Sequence, residues 1–137
     1  MKKLSIFIIL ILIIGAIFYF WLQNRTMYTP IDIKTYNWHT SFQFSEFEIN
    51  NINFSNPQSL NLTDITKLIS QQENWEYQFT DYGAMGILVT QIKDKINGED
   101  QKYWQFFVAD EQPQISADKF FPDNGANIIW KFAESEF

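Results

Sequence analysis

Few residues in this chain are of types that do chemistry, and they are scattered. His39 is the single histidine, followed at once by Thr40 and Ser41. A Ser–His–acid device needs a base positioned against its hydroxyl, and adjacency in the chain does not supply that geometry. A lone histidine in a polar stretch is more simply a solvated one. Carboxylates are plentiful but dispersed. Glu99-Asp100 follows the turn dipeptide Asn97-Gly98, and Asp110-Glu111 follows an apolar segment. Neither pair has the ligand spacing of a calcium loop, so both read as solvated turn acids. Asp64 suits the first turn of a helix, where the helix dipole favours negative charge. Gly83 and Gly86 are too close and too isolated for a phosphate-cradling loop. There is no cysteine, hence no thiol nucleophile and no zinc–thiolate site. The expectation is a protein that is not an enzyme, with no catalytic residues and no metal site. What the chain has instead is aromatic surface. Aromatic residues make up 18% of it, including Trp38, Trp75, Trp104 and Trp130. Most must build the core of a small domain, while those beside a loop can offer a platform to a flat ligand or a partner.

The elements that would position these residues begin with an apolar run. Leu4 to Leu22 is free of charge and is interrupted only by Ser5 and Gly15. At ~1.5 Å per residue, a helix of this length covers roughly the ~30 Å hydrocarbon core of a bilayer. Tyr19 and Trp21 fall near one end, at headgroup level. A cleaved secretory signal is the competing reading, since Lys2 and Lys3 supply its basic start. Its apolar stretch would be shorter, however, and would end in small residues rather than in Tyr19-Phe20-Trp21-Leu22. A pilin-type start lacks its usual acidic residue. Residues 1–23 are therefore expected to be an N-terminal membrane anchor, a single-pass transmembrane helix. Lys2 and Lys3 hold the N-terminus in the cytoplasm, leaving the C-terminal domain extracytoplasmic.

Lys2 and Lys3 belong to a total of 10 Lys and Arg against 16 Asp and Glu, so the exported part is strongly acidic. An acidic surface argues against nucleic acid and against lying flat on anionic lipid. Its simplest consequence is solubility. Residues 24–40 are polar and contain Pro30, and read as a tether. Residues 41–137 suffice for one core.

Within that domain, Phe42 and Phe44, then Phe47 and Ile49, alternate with polar residues. Their shift of phase suggests a bulge in one half-buried strand. Asn51 to Asn61, with Pro57, reads as turn. Leu62, Ile65, Leu68 and Ile69 have helical spacing, with Thr63 or Asn61 as cap and an end before Asn74. Trp75, Tyr77 and Phe79 alternate as a strand. Met85 to Ile92 is almost wholly apolar, as in a strand buried on both faces. Asn97-Gly98 is a turn signal. Lys102 to Ala109 follows as a strand, with Trp104, Phe106 and Val108 on one face and Tyr103 and Phe107 on the other. Asp123-Asn124-Gly125 turns the chain into a last strand, Ala126 to Phe132. A sheet with a single helix packed across it is an α+β layering, and this order suits a β-grasp.

These segments carry a resemblance. Ser59-Leu60-Asn61-Leu62-Thr63-Asp64-Ile65, Trp75-Glu76-Tyr77-Gln78-Phe79, Met85 to Ile92, Asn97-Gly98 and Tyr103-Trp104-Gln105-Phe106 resemble, in order and spacing, the transcobalamin-like C-terminal domain. That family includes the end of gastric intrinsic factor and many bacterial cell-surface proteins. The resemblance implies a β-grasp-like fold that binds soluble ligands. In the vitamin carriers this domain covers one face of cobalamin, and a helical-barrel domain supplies the other. By position it implies a first ligand-binding segment of Ala84, Met85, Gly86, Ile87, Leu88 and Val89. The second segment would be Trp104, Gln105, Phe106, Phe107, Val108, Ala109, Asp110, Glu111, Gln112 and Pro113. Two departures stand out. The barrel domain has no counterpart in this sequence, and Asp110-Glu111-Gln112 stands where the carriers have small and hydroxyl residues.

The expectation is thus a membrane-anchored extracytoplasmic binding module for a small soluble ligand such as a corrinoid, with cobalamin the candidate ligand and no other cofactor. A surface or transporter protein is the candidate partner, able to supply the missing face. The alternative is a cell-surface structural or protein–protein interaction module with no small-molecule ligand.

Overall fold

In this computed structural model the chain divides into two units, Met1–Asp32 and Ile33–Phe137. The residues described are Tyr19 and 34–134. The expected anchor apart from Tyr19, most of the expected tether and the last three residues lie outside them.

The second unit is a sheet-dominated α+β fold with one helix. Its elements are β1 (Tyr36–Gln43), β2 (Ile49–Asn56), α1 (Leu62–Gln72), β3 (Tyr77–Asp81), β4 (Ile87–Ile92), β5 (Lys95–Ile96), β6 (Lys102–Val108) and β7 (Asn127–Glu134), with short 3-10 turns at Gly83–Met85 and Glu99–Gln101. Four strands form a sheet in the order β2-β1-β7-β6, and three form another in the order β3-β4-β5. β1 and β7 run parallel in the middle of the first sheet; its outer pairs are antiparallel.

Strand periodicity builds the core. Trp38, Thr40 and Phe42 of β1, Ile128, Trp130 and Phe132 of β7, and Trp104 of β6 all face the same side of the larger sheet and are buried. Successive side chains of a strand point to opposite faces, so even-numbered residues share this one throughout. α1 lies against it through Leu62, Ile65 and Ile69. Asn61 caps the helix by accepting from the Asp64 amide at 2.8 Å. The helix ends at Glu73, and Asn74 takes a left-handed φ of 57° just beyond. Trp130 Nε1 donates to Thr66 Oγ1 at 2.8 Å and ties helix to sheet.

Four sequence expectations change. Phe42/Phe44 and Phe47/Ile49 do not flank a bulge; the chain reverses between them. The Ser45 hydroxyl accepts from the Phe47 and Glu48 amides and makes the turn. Phe44 is consequently 2% exposed and Phe47 96%. Second, Asn51–Asn56 is strand rather than turn. The Asn51 and Asn53 side chains, which could compete for their own backbone, are instead engaged across the hairpin. Ser41 donates to Asn51, His39 Nδ1 lies 2.5 Å from Asn53 Oδ1, and Ser55 donates to Asn37. Third, the domain starts earlier than residue 41. β1 begins at Tyr36, and Trp38 is wholly buried, with its Nε1 donating to the Pro122 carbonyl at 3.2 Å. Last, Met85–Ile92 is not a strand buried on both faces. Met85 sits in a 3-10 turn, β4 starts at Ile87, and Leu88 is exposed. Core side chains cover one side of β4; its other side opens outward.

Candidate functional site

The two sheets part between β4 and β6, and the side chains of Asn97 and Trp104 span the seam. Asn97 Nδ2 donates to the Val89 carbonyl at 2.9 Å, and Asn97 Oδ1 accepts from the Trp104 amide at 2.8 Å. Trp104 Nε1 donates to the Lys95 carbonyl at 3.0 Å. Gly98, at a φ of 96°, makes the turn that brings Asn97 into this place. The Asn97-Gly98 signal in the sequence therefore marks a joint between sheets as well as a turn.

Above this joint lies a cavity of about 200 Å³. Ile87, Leu88 and Val89 of β4 form one wall, Trp104, Gln105 and Phe106 of β6 another, and the segment 112–117 a third, with Trp130 completing the lining. Met85, Leu88 and Ile115 make its surroundings apolar while remaining 77%, 44% and 49% exposed.

The third wall is clasped to the first. The Ile87 amide reaches both Ser116 Oγ (2.9 Å) and Asp118 Oδ1 (3.0 Å). The Ser116 hydroxyl bonds to Asp118, and Lys119 Nζ donates to the Ala84 carbonyl. These bonds, the Ser116 hydroxyl first and the Ile87 amide second, hold the Asp118 carboxyl below the usual carboxylate range. Gly86 permits the clasp. Its φ is 99°, and a Cβ there would overlap Ser116. The helix start secures the same segment, because the Leu62 and Thr63 amides donate to the carbonyls of Phe120 and Ala117. Deeper in the fold, burial pushes the Tyr77 phenol above its ordinary pKa.

The segments implied by the resemblance meet here in part. Ile87, Leu88, Val89, Trp104, Gln105, Phe106, Gln112 and Pro113 share the cavity. Ala84, Met85 and Gly86 form the turn beside it. Phe107 points to the other face of β6, into a separate open groove of about 370 Å³ with Gln105, Gln112 and Lys131. Val108 packs on the core, and Ala109 and Asp110 take left-handed backbone angles in the loop that returns Glu111 to pair with Val108. Ile115, Ser116, Ala117 and Trp130 were missed by sequence reasoning. Trp130 was assigned only to a strand, and residues 114–117 have no periodicity to mark them.

Cavities that enclose a drug-sized ligand hold roughly 300–1,000 Å³. This one is smaller, so it fits an edge or one face of such a molecule. A larger depression of about 700 Å³ lies at the hairpin tip between Phe47, Lys102 and Phe132. It is lined mainly by polar and charged side chains and includes no residue of the two implied segments, so the seam cavity is the better candidate. Among the described residues no cluster of three His, Cys, Asp or Glu side chains is placed to hold a metal ion.

The profile of a family described as a domain of unknown function, DUF4430, matches residues 61–134, more than half of the chain. Among solved structures, one from Ruminococcus gnavus ATCC 29149, described as a candidate metal-binding protein, is 17% identical with a TM-score of 0.58; the match covers 73% of this chain and 98% of that one. Haptocorrin in complex with Cbi is 14% identical with a TM-score of 0.61, over 73% of this chain. This chain spans about a quarter of haptocorrin, 26% of its length. At these identities the likeness is one of fold. No curated protein sequence matches.

Proposed function

Because the chain belongs to the DUF4430 family, we propose that it is a transcobalamin-type binding module of β-grasp topology, anchored to a membrane by Leu4–Leu22 and exposed on the extracytoplasmic side. Its role is to capture one face of a small soluble ligand, with a corrinoid the most specific candidate, and it is not an enzyme. The β-grasp reading rests on the β2-β1-β7-β6 order with a parallel central pair and one helix across it.

One observation carries the reading: parts of two sequence segments implied independently of the structure border a single cavity. That cavity is small and its rim is exposed, which suits a ligand held against a surface. Half-enclosure means weak intrinsic affinity, and a surface or transporter protein supplying the second face would offset it. The exposed Met85, Leu88 and Ile115 also suit direct contact with such a partner in the absence of any small molecule.

The test is titration of the full chain in detergent with cobalamin, followed by tryptophan emission. Trp104 and Trp130 line the cavity, so bound corrin should quench saturably. Leu88→Glu charges the rim at an already exposed position and should weaken binding about tenfold or more, the equivalent of losing a side chain's apolar burial. Trp104→Phe should reduce the quenching while keeping the core filled, the remainder coming from Trp130. Absence of saturable quenching up to high micromolar cobalamin overturns the corrinoid reading, and stoichiometric recovery of a membrane protein would then favour the interaction role.

A further inference from the structure

Among the described residues, strand β2 is an open sheet edge with none of the usual protection. The His39 amide donates to the Ala126 carbonyl, and the Gly125 amide donates to the Asn37 carbonyl, so odd-numbered residues of β1 turn their backbone groups toward β7. The backbone groups of Trp38, Thr40 and Phe42 therefore face β2, where their partners are Phe54, Ile52 and Asn50. On β2 that leaves Ile49, Asn51, Asn53 and Ser55 with N–H and C=O pointing away from the sheet. All four are exposed.

The other edges among the described residues are guarded. β3 is short, ends at Asp81 and has a register shift between Gln78 and Phe79. β5 has two residues, one of them Lys95. The free side of β6 is occupied by Asn97 and by the Val108–Glu111 bridge. β2 has no bulge against β1, and no charge or proline within Ile49–Asn56. Native sheets commonly protect an edge with one of these features.

We infer that the β2 edge pairs with the β2 edge of a second copy of this chain, antiparallel about a two-fold axis, to make one sheet across both copies. Any register centred on a β2 residue satisfies the free backbone groups, and the two centred on Ile52 and Asn53 pair most of the strand. Centring on Asn53 sets Ile52 opposite Phe54 of the other copy on both sides of the axis; centring on Ile52 sets Phe54 opposite Asn50 instead. The first keeps the apolar pair together on the core-ward face. It pairs Asn51 with Ser55 and ends where Pro57, lacking an N–H, can offer only its carbonyl.

Charge leaves this edge as the face on which a second copy meets least repulsion. The chain carries a net charge of −6, so two copies repel over most of their surface. No charged residue occurs from Ile49 through Thr63. In the Asn53-centred register, Glu48 falls opposite Gln58 and Glu46 opposite Leu60, so no two acids meet. Glu48 is in addition paired with Lys93 at 2.6 Å.

The chain has no cysteine, which makes the test direct. Asn53→Cys places one thiol beside its own symmetry mate, at the ~5.5 Å Cα separation of a hydrogen-bonded antiparallel pair and within disulfide reach. In the full chain in detergent under mild oxidation, this variant should form covalent dimer about tenfold or more faster than Gln71→Cys, an exposed helix position that reports chance collision. Adding Asn51→Pro removes an outward N–H and leaves the bonds of Asn50 and Ile52 to β1 in place. It should return the rate to that of the control, as should Ser55→Lys. Equal rates for Asn53→Cys and Gln71→Cys, or rates untouched by both edge changes, overturn the proposal.

Discussion

The two sheets of this domain are built on different terms. The larger one stacks aromatic rings against a helix: Trp38 lies between Tyr36 and Phe54, and Phe42 and Phe44 meet the edge of Trp75. Trp130 contacts both Trp104 and Phe106. The smaller sheet buries only Val89 and Ile92 fully and leaves Phe79, Leu88 and Ile96 exposed. It is held less by packing than by named polar joints, the Asn97 carboxamide and the clasp of Ser116 and Asp118 on Ile87. Stability is concentrated in one sheet and accessible surface in the other. The cavity lies where they separate, with the buried Trp104 and Trp130 at its back and β4 and residues 112–117 at its more exposed front.

That contrast is testable from its stronger side first. Trp38→Ala removes a fully buried ring and the hydrogen bond to Pro122. It should cost about 3–5 kcal/mol, a large part of the ~5–15 kcal/mol by which a domain is stable. Denaturant unfolding would register this as a lower midpoint; a change under about 1 kcal/mol would contradict the central role given to the larger sheet.

On the smaller sheet the effects should be moderate and local. Gly86→Ala forces a side chain into the space of Ser116 at a backbone angle that side chains rarely adopt. A cost of about 1–3 kcal/mol is expected, as for overpacking, with faster amide exchange confined to the 84–88 and 113–119 segments. Global loss of protection would show that the clasp supports the whole fold.

The smallest effect is one of pH. The folded Asp118 carboxyl lies below its ordinary value. Its contribution to stability is therefore present above the ordinary aspartate pKa of about 3.9 and is lost as pH falls through the lower folded value. Asp118→Asn should lower stability slightly at neutral pH and flatten this acid-side decline. An unchanged acid profile would mean that Ser116 and the Ile87 amide hold the clasp without the charge.

Some of this was determined by the sequence alone. Leu62, Ile65 and Ile69 at helical spacing behind Asn61, and the alternation of Trp104, Phe106 and Val108, fix the helix and β6 because their periods are local. Asn97-Gly98 and Asp123-Asn124-Gly125 likewise encode their turns in their own residues. The order of segments was enough to imply two candidate contact segments, parts of which the fold brings to one cavity between β4 and β6. Other features belong only to the tertiary structure. Whether Phe42 and Phe47 share a strand depends on a reversal made by Ser45, and whether Asn51–Asn56 is strand depends on partners in β1. The burial of Trp38 depends on Pro122, far along the chain. The third wall of the cavity, Ile115 to Ala117, has no period at all. It is placed by Gly86, Ser116 and Asp118 and by the start of α1, contacts between residues that only folding brings together. Local patterns record which face of an element is apolar, but they carry no record of what that face will meet.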